Sequence, residues 1–381
     1  MSRRTRSHTT PNTKLTTTAT TETGPGLRVS PTARILFALY VVLTVYASLY
    51  PLEGWHNHGL SPLAFLDAPW PRYITTFDLA VNLLGYMPYG FLCVAALEPR
   101  LRGAGAIGVA AGSALILSLA LEAGQSYLPA RVAVNLDVLC NLAGATLGAA
   151  LGAALVPRWM REGPVGRARA ALFLPGLDID IGLVLVGLWL FTQLNPATLL
   201  FAAGDLRDLV AATPGRARRP EFFVGIEAFT AAANLIGVGL LVSALTRPGQ
   251  PVRALICSLV GVALVVKVAA FAVVMRAENV LVWLTPGGQY GLLLGLAVAL
   301  FAVRLPRTVR LAVAAVLLMA ATVLVNLAPP NPYLVATLKL WQQGHFLNFN
   351  GLTRLVSALW VFAALAYLIY LAARRRDAPD S

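Results

Sequence analysis

Apolar runs of about 20 residues recur along the whole chain, and each is long enough to cross the roughly 30 Å hydrocarbon core of a bilayer. The runs fall near 34–52, 78–97, 104–123, 134–156, 177–194, 222–245, 253–275, 287–303, 308–327 and 354–373. In lipid every backbone N–H and C=O must be satisfied internally, so segments of this length are read as helices. The short alternating segments of a membrane barrel are absent. The expected fold is therefore an all-α polytopic transmembrane bundle of about ten spans. Composition agrees: the chain is 57% hydrophobic and 12% charged, with a mean hydropathy of +0.70, whereas about a quarter of a soluble domain is charged.

The formal net charge of +13 would suggest nucleic acid in a soluble protein. Here the basic residues sit between and beside the apolar runs, where they act as topology signals, and nucleic-acid binding is set aside. With the N-terminus inside, twenty of the 30 Lys and Arg lie in cytoplasmic segments and nine in outer ones. This predicts that both termini are cytoplasmic. Residues 195–221 disagree, because Arg207, Arg216, Arg218 and Arg219 then lie outside. Either that loop holds an interfacial helix or the span assignment fails there. Residues 1–33, rich in Thr, Arg and Ser, read as a disordered cytoplasmic tail. Cys93, Cys140 and Cys257 lie inside apolar runs without paired spacing, and read as small buried hydrophobes.

Two stripes of small residues stand out. Gly144, Gly148 and Gly152 recur every fourth residue in the fourth span, and Gly287, Gly291 and Gly295 do so in the eighth. Such faces allow close helix approach, and a seam within one subunit is preferred to a dimer contact.

Spans two to four carry polar groups that cost several kcal/mol each in a membrane. Asp78 and Asn82 are four apart, and Gly85, Pro88 and Gly90 follow in NLLGYMPYG. Glu122 and Gln125 share a face in LEAGQSYLPAR, which ends at Arg131. Asp137, Asn141, Gly144 and Gly148 share a face in the fourth span. In the expected topology all three clusters reach the outer surface, where they would build one polar pocket. Arg131 would bind an anionic ligand; Glu122 and Asp137 would act as acid, base or metal anchor; and Asp78, Asn82, Gln125 and Asn141 would complete the contacts. The bland alternative is that Arg131 pairs with Asp137 or Glu122 while the amides bridge helices.

The order Asn82–Gly85–Pro88–Gly90, Glu122–Gln125, then Arg131, Asp137, Asn141 and Gly144 resembles the VanZ-like family of bacterial membrane proteins, over roughly 35–155. That resemblance implies a bacterial inner-membrane location, a cell-envelope role and an effect on susceptibility to the glycopeptide teicoplanin, the drug whose resistance protein names the family. It supplies neither a reaction nor a cofactor. The partner expected is a membrane lipid or a lipid-linked envelope precursor. Three classes stay open: an enzyme, a transporter or flippase, and a non-catalytic scaffold for envelope enzymes. The apolar inner halves of spans two to four speak against transport.

Residues 157–381 add six spans, with outer loops 195–221 and 328–353. Lys267 lies deep in the seventh span, and Glu227 in the sixth span is its candidate acid, which makes an ion pair the expectation. Loop 328–353 brings His345, Trp341 and Phe346 and is a candidate lid. No phosphate-binding glycine loop, HExxH motif or serine-nucleophile signature occurs. His56 and His58 are too few for a metal centre, and Glu53 and Asp67 in the first outer loop only weakly suggest a glycosyltransferase.

Overall fold

The computed structural model describes residues 30–59, 61–71, 75–161, 163–207, 219–274, 280–329, 331 and 347–374. Among these residues it is all helical: α1 (Pro31–Leu49), α2 (Thr76–Leu97), α3 (Gly103–Gln125), α4 (Asn135–Leu155), α5 (Pro164–Leu172), α6 (Leu177–Thr192), α7 (Pro220–Leu245), α8 (Val252–Val274), α9 (Pro286–Ala302), α10 (Arg307–Leu327) and α11 (Leu347–Ala373). Eight of the helices are long and apolar enough to span a bilayer. The other two expected spans are helical but short: α6 has 16 residues and α9 has 17. The chain is a multi-pass membrane protein.

Two packing units follow from the sequence. In the first, α1–α4, the glycines of α4 decide the geometry. A methyl at Gly144, Gly148 or Gly90 would overlap the carbonyl oxygen of Leu83, Met87 or Ala145, so α2 and α4 meet backbone to backbone. In the second unit the stripe of α9 works alike: Gly287, Gly291 and Gly295 lie against Glu227, Ala228 and Ala232 of α7. Both stripes are thus seams inside one chain. Helix α7 is the axis of this unit, its span 89% buried, in a core that runs through Trp189, Leu240, Phe271, Leu318 and Trp360.

The units meet where α1 packs on α6 and α11. At one end of that contact Asp180 accepts from both Arg169 of α5 and Thr32 of α1. Beside it Asp178 pairs with Arg374 at 2.9 Å and its carbonyl accepts from Tyr367 at 2.8 Å. The helix α5 was not expected, since its Arg-rich sequence lacks an apolar stripe.

Residues 195–207, the first part of the loop expected at 195–221, fold into the bundle as irregular backbone. Phe201, Ala202 and Ala203 are almost wholly buried, and the Gly204 N–H donates to Ser357 of α11 at 2.9 Å. Irregular backbone survives within a bundle only when other groups satisfy it. Here Gln193 Oε1 accepts from Phe201 N–H at 3.1 Å. Asn326 of α10 donates to Gly204 O at 2.7 Å and accepts from Leu206 N–H at 2.7 Å. The arginine-rich stretch 208–218, and most of the expected lid with His345, Trp341 and Phe346, lie outside the described residues. Helix α11 starts seven residues before the span expected at 354.

Candidate functional site

A cavity of about 810 Å³ lies between the two units. Six of the seven polar residues singled out in the sequence line it: Asn82, Glu122, Gln125, Arg131, Asp137 and Asn141. The start of α2, the end of α3 and the start of α4 converge here because the α2–α4 glycine seam sets their register. Asp78 does not line the cavity. It sits at the first turn of α2, where its backbone N–H donates to Thr75 Oγ1 at 3.0 Å and its carboxylate accepts from the same hydroxyl at 2.5 Å. It nonetheless stands with Asn82 as a polar neighbour of Asp137.

Glu122 is 3% exposed. Its Oε2 accepts the Val134 N–H at 3.0 Å, just before α4, where unpaired N–H groups and the helix dipole favour a carboxylate. Arg131 departs from the expected pairing. Its Nε donates to Tyr50 O at 3.1 Å, and its Nη2 to Tyr50 O at 2.9 Å and Ala47 O at 3.1 Å. The guanidinium therefore caps the C-terminus of α1, where carbonyls have no helical partner. Neither Glu122 nor Asp137 lies within ion-pair distance of it among the described residues. Burial draws its pKa below the ordinary arginine value, with the charge of Glu122 opposing the shift. Gln125 Nε2 donates to Ser48 O at 3.1 Å, a further tie to the end of α1.

Among the described residues, Asn141 Oδ1 is a buried polar atom of the lining without a hydrogen-bond partner. The Asn141 amide donates to Ser118 Oγ at 2.9 Å, leaving its oxygen unused.

The rest of the lining is mostly apolar, with a few hydroxyls, and comes from residues that sequence reasoning passed over. Helix α1 contributes a stripe from Thr32 through Leu36, Tyr40 and Leu43 to Ser48. Those sixteen residues of rise cover roughly 24 Å, most of the hydrocarbon thickness. The far wall is Leu183, Gly187, Leu188 and Phe191 of α6 with Phe349 and Leu352 of α11. Nothing in the sequence separates such a wall from a lipid-facing surface. Tyr40 and Ser118 did carry a signal: Tyr40 is a polar group in mid-span, bonded to Gly85 O at 2.5 Å, and Ser118 lies one turn before Glu122. Among the described residues no group of three His, Cys, Asp or Glu side chains could hold a metal ion.

The cavity is thus polar at one end and mostly apolar along its length. The family model described as VanZ/LLP1 matches residues 34–156, from the first turn of α1 to the end of α4, and this part of the chain is VanZ-like. The match takes in all six cavity-lining polar residues singled out from the sequence and stops before the apolar wall of α6 and α11. No curated protein and no solved structure matches the chain.

Proposed function

We propose that this VanZ-like protein of the bacterial inner membrane binds a single amphiphile, a membrane lipid or lipid-linked envelope precursor, in the cavity between its two units. The observation that carries the reading is the cavity's composition along its length. An acyl chain would lie along the α1 stripe against α6. Its headgroup would meet Glu122, Asp137, Asn82 and Asn141. The volume falls within the roughly 300–1,000 Å³ of ligand sites. Two carboxylates and several amides suit a headgroup rich in hydroxyl, amide or amine donors. With Nε and Nη2 of Arg131 committed to carbonyls, Nη1 is what remains for the anionic group expected from the sequence. Sequestering an envelope precursor is the route by which the protein would alter glycopeptide susceptibility.

Gly187 supplies a clean test. It lines the cavity, and a Cβ there meets nothing within 4 Å, so Gly187→Trp fills the space without a backbone clash. Native mass spectrometry of the wild type should show one copurifying lipid-sized molecule, absent from Gly187→Trp at equal abundance and helicity. Equal occupancy in both would overturn the reading.

A second reading, lipid translocation, is favoured by the reach of the cavity to Thr32 at the opposite end of α1. It predicts that reconstituted protein moves a fluorescent lipid between leaflets, and that Gly187→Trp stops it. A catalytic variant makes Glu122 and Asp137 the acid and base, and predicts that Glu122→Gln keeps the bound molecule but loses its conversion.

A further inference from the structure

Charge buried in the second unit is settled within that unit. Lys267 is fully buried and Glu227 is 5% exposed, yet the ion pair expected between them does not form. Lys267 Nζ donates to Asn195 O at 2.7 Å and to Thr198 O at 2.9 Å. Glu227 Oε2 accepts from Thr285 Oγ1 and Oε1 from Asn331 Nδ2, each at 2.6 Å, so both of its oxygens are bonded. A buried charge is tolerated when its hydrogen bonds are complete.

The polar end of the large cavity differs. Glu122 is equally buried, 3% exposed, but only its Oε2 is bonded, to the Val134 N–H. Its Oε1 makes no hydrogen bond among the described residues, and the side chain lines the cavity. Asp137 lines the same end, with Asn82 as its hydrogen-bonding neighbour. The two carboxylates are close enough to repel each other, and Asp78 adds to the charge felt by Asp137. Neither Glu122 nor Asp137 is in an ion pair among the described residues. Arg131 is the one basic side chain of the lining, and its Nε and Nη2 are held by the carbonyls of α1. Like charges gathered away from water repel strongly, and a cation between them removes the repulsion.

We propose that the amphiphile held in this cavity carries a primary ammonium in its headgroup, seated between Glu122 Oε1 and the Asp137 carboxylate with Asn82 beside it. A metal ion fits less well, since among the described residues no group of three His, Cys, Asp or Glu side chains is placed to hold one. An ammonium is a compact charge with three N–H donors, and two carboxylates with a neighbouring amide oxygen supply acceptors for all three. The ammonium presupposes that the cavity holds an amphiphile, as proposed above, and its sign is opposite to that of the ligand expected from the sequence. An anionic group on the same headgroup, as in a zwitterionic lipid, keeps Arg131 Nη1 as its donor.

Native mass spectrometry of the full-length protein tests this, after release from nanodiscs made of phosphatidylethanolamine, its N-acetyl derivative and phosphatidylglycerol in equal parts with identical acyl chains. The wild type should retain the ethanolamine lipid about tenfold or more over the N-acetyl form, which keeps chains and phosphate but loses the cation. Glu122→Gln and Asp137→Asn should each bring that ratio toward one. Should either variant fail to fold, the comparison of lipids on the wild type carries the test. A molecule copurified from cells should take up one acetyl group under amine-selective acetylation, and its mass then separates a membrane phospholipid from a lipid-linked precursor. A copurified molecule that takes up none overturns the ammonium. So does lipid that Gly187→Trp displaces but that shows no headgroup preference, or a preference unchanged in both folded variants; each leaves the amphiphile reading intact. No retained lipid of any kind overturns the amphiphile reading, and the ammonium with it.

Discussion

Arg131 shows how a residue can stand in a site and serve the fold. Its planar fork reaches two carbonyls at the end of α1, Ala47 and Tyr50, and a hydrogen bond from a charged donor contributes about 1.5–3 kcal/mol. Arg131→Ala should therefore lower stability by about that amount, read as a drop in the thermal midpoint in detergent. Arg131→Lys should recover only part of it, because an ammonium cannot reproduce the fork. Glu122→Gln is different: an amide oxygen can still accept the Val134 N–H, so membrane abundance should stay normal. If the carboxylate meets a ligand, glycopeptide susceptibility should shift toward that of the deletion strain. Wild-type susceptibility in that variant, with a deletion phenotype established, would remove Glu122 from the site. The residue types and their spacing were legible in the sequence. What Arg131 touches was not, because its partners are backbone carbonyls, which every residue has.

At the scale of the element, the glycine stripes are the most readable feature, since close backbone approach needs small residues at one spacing. Their partners become clear only once helices pack: α4 on α2, and α9 on α7. Gly148→Leu should separate α2 from α4 and cost at least the 1–3 kcal/mol or so of overpacking, with lower abundance and thermal stability. Even Gly148→Ala should be measurably destabilising, because its methyl would meet Met87 O. The same substitution at Gly112, where a Cβ meets nothing within 4 Å, is the control and should be neutral or slightly stabilising. The burial of 195–207 was not legible for a related reason. Hydropathy records which residues dislike water, but not that Gln193, Asn326 and Lys267 would satisfy an irregular backbone inside the bundle.

For the whole molecule, the arrangement of two units answers what residues 157–381 contribute to the site: α6 and α11 form the wall opposite α1. It also makes the orientation testable. In a background lacking Cys93, Cys140 and Cys257, a cysteine at Asp67 should react with an impermeant thiol reagent on intact cells. One at Arg158 should react only after lysis; the opposite pattern would invert the topology. The apolar spans, their helical state and the clustering of polar residues in spans two to four were determined by the sequence alone, because lipid forces long apolar segments into helices and penalises every polar group placed within them. Tertiary structure decided the rest: that six of those residues surround one cavity, that Arg131 faces a helix end rather than an acid, that Lys267 holds a turn rather than Glu227, and that α6 and α11 supply the far wall. Those outcomes depend on which helix faces meet, and an apolar face turned to a cavity has the same composition as one turned to lipid.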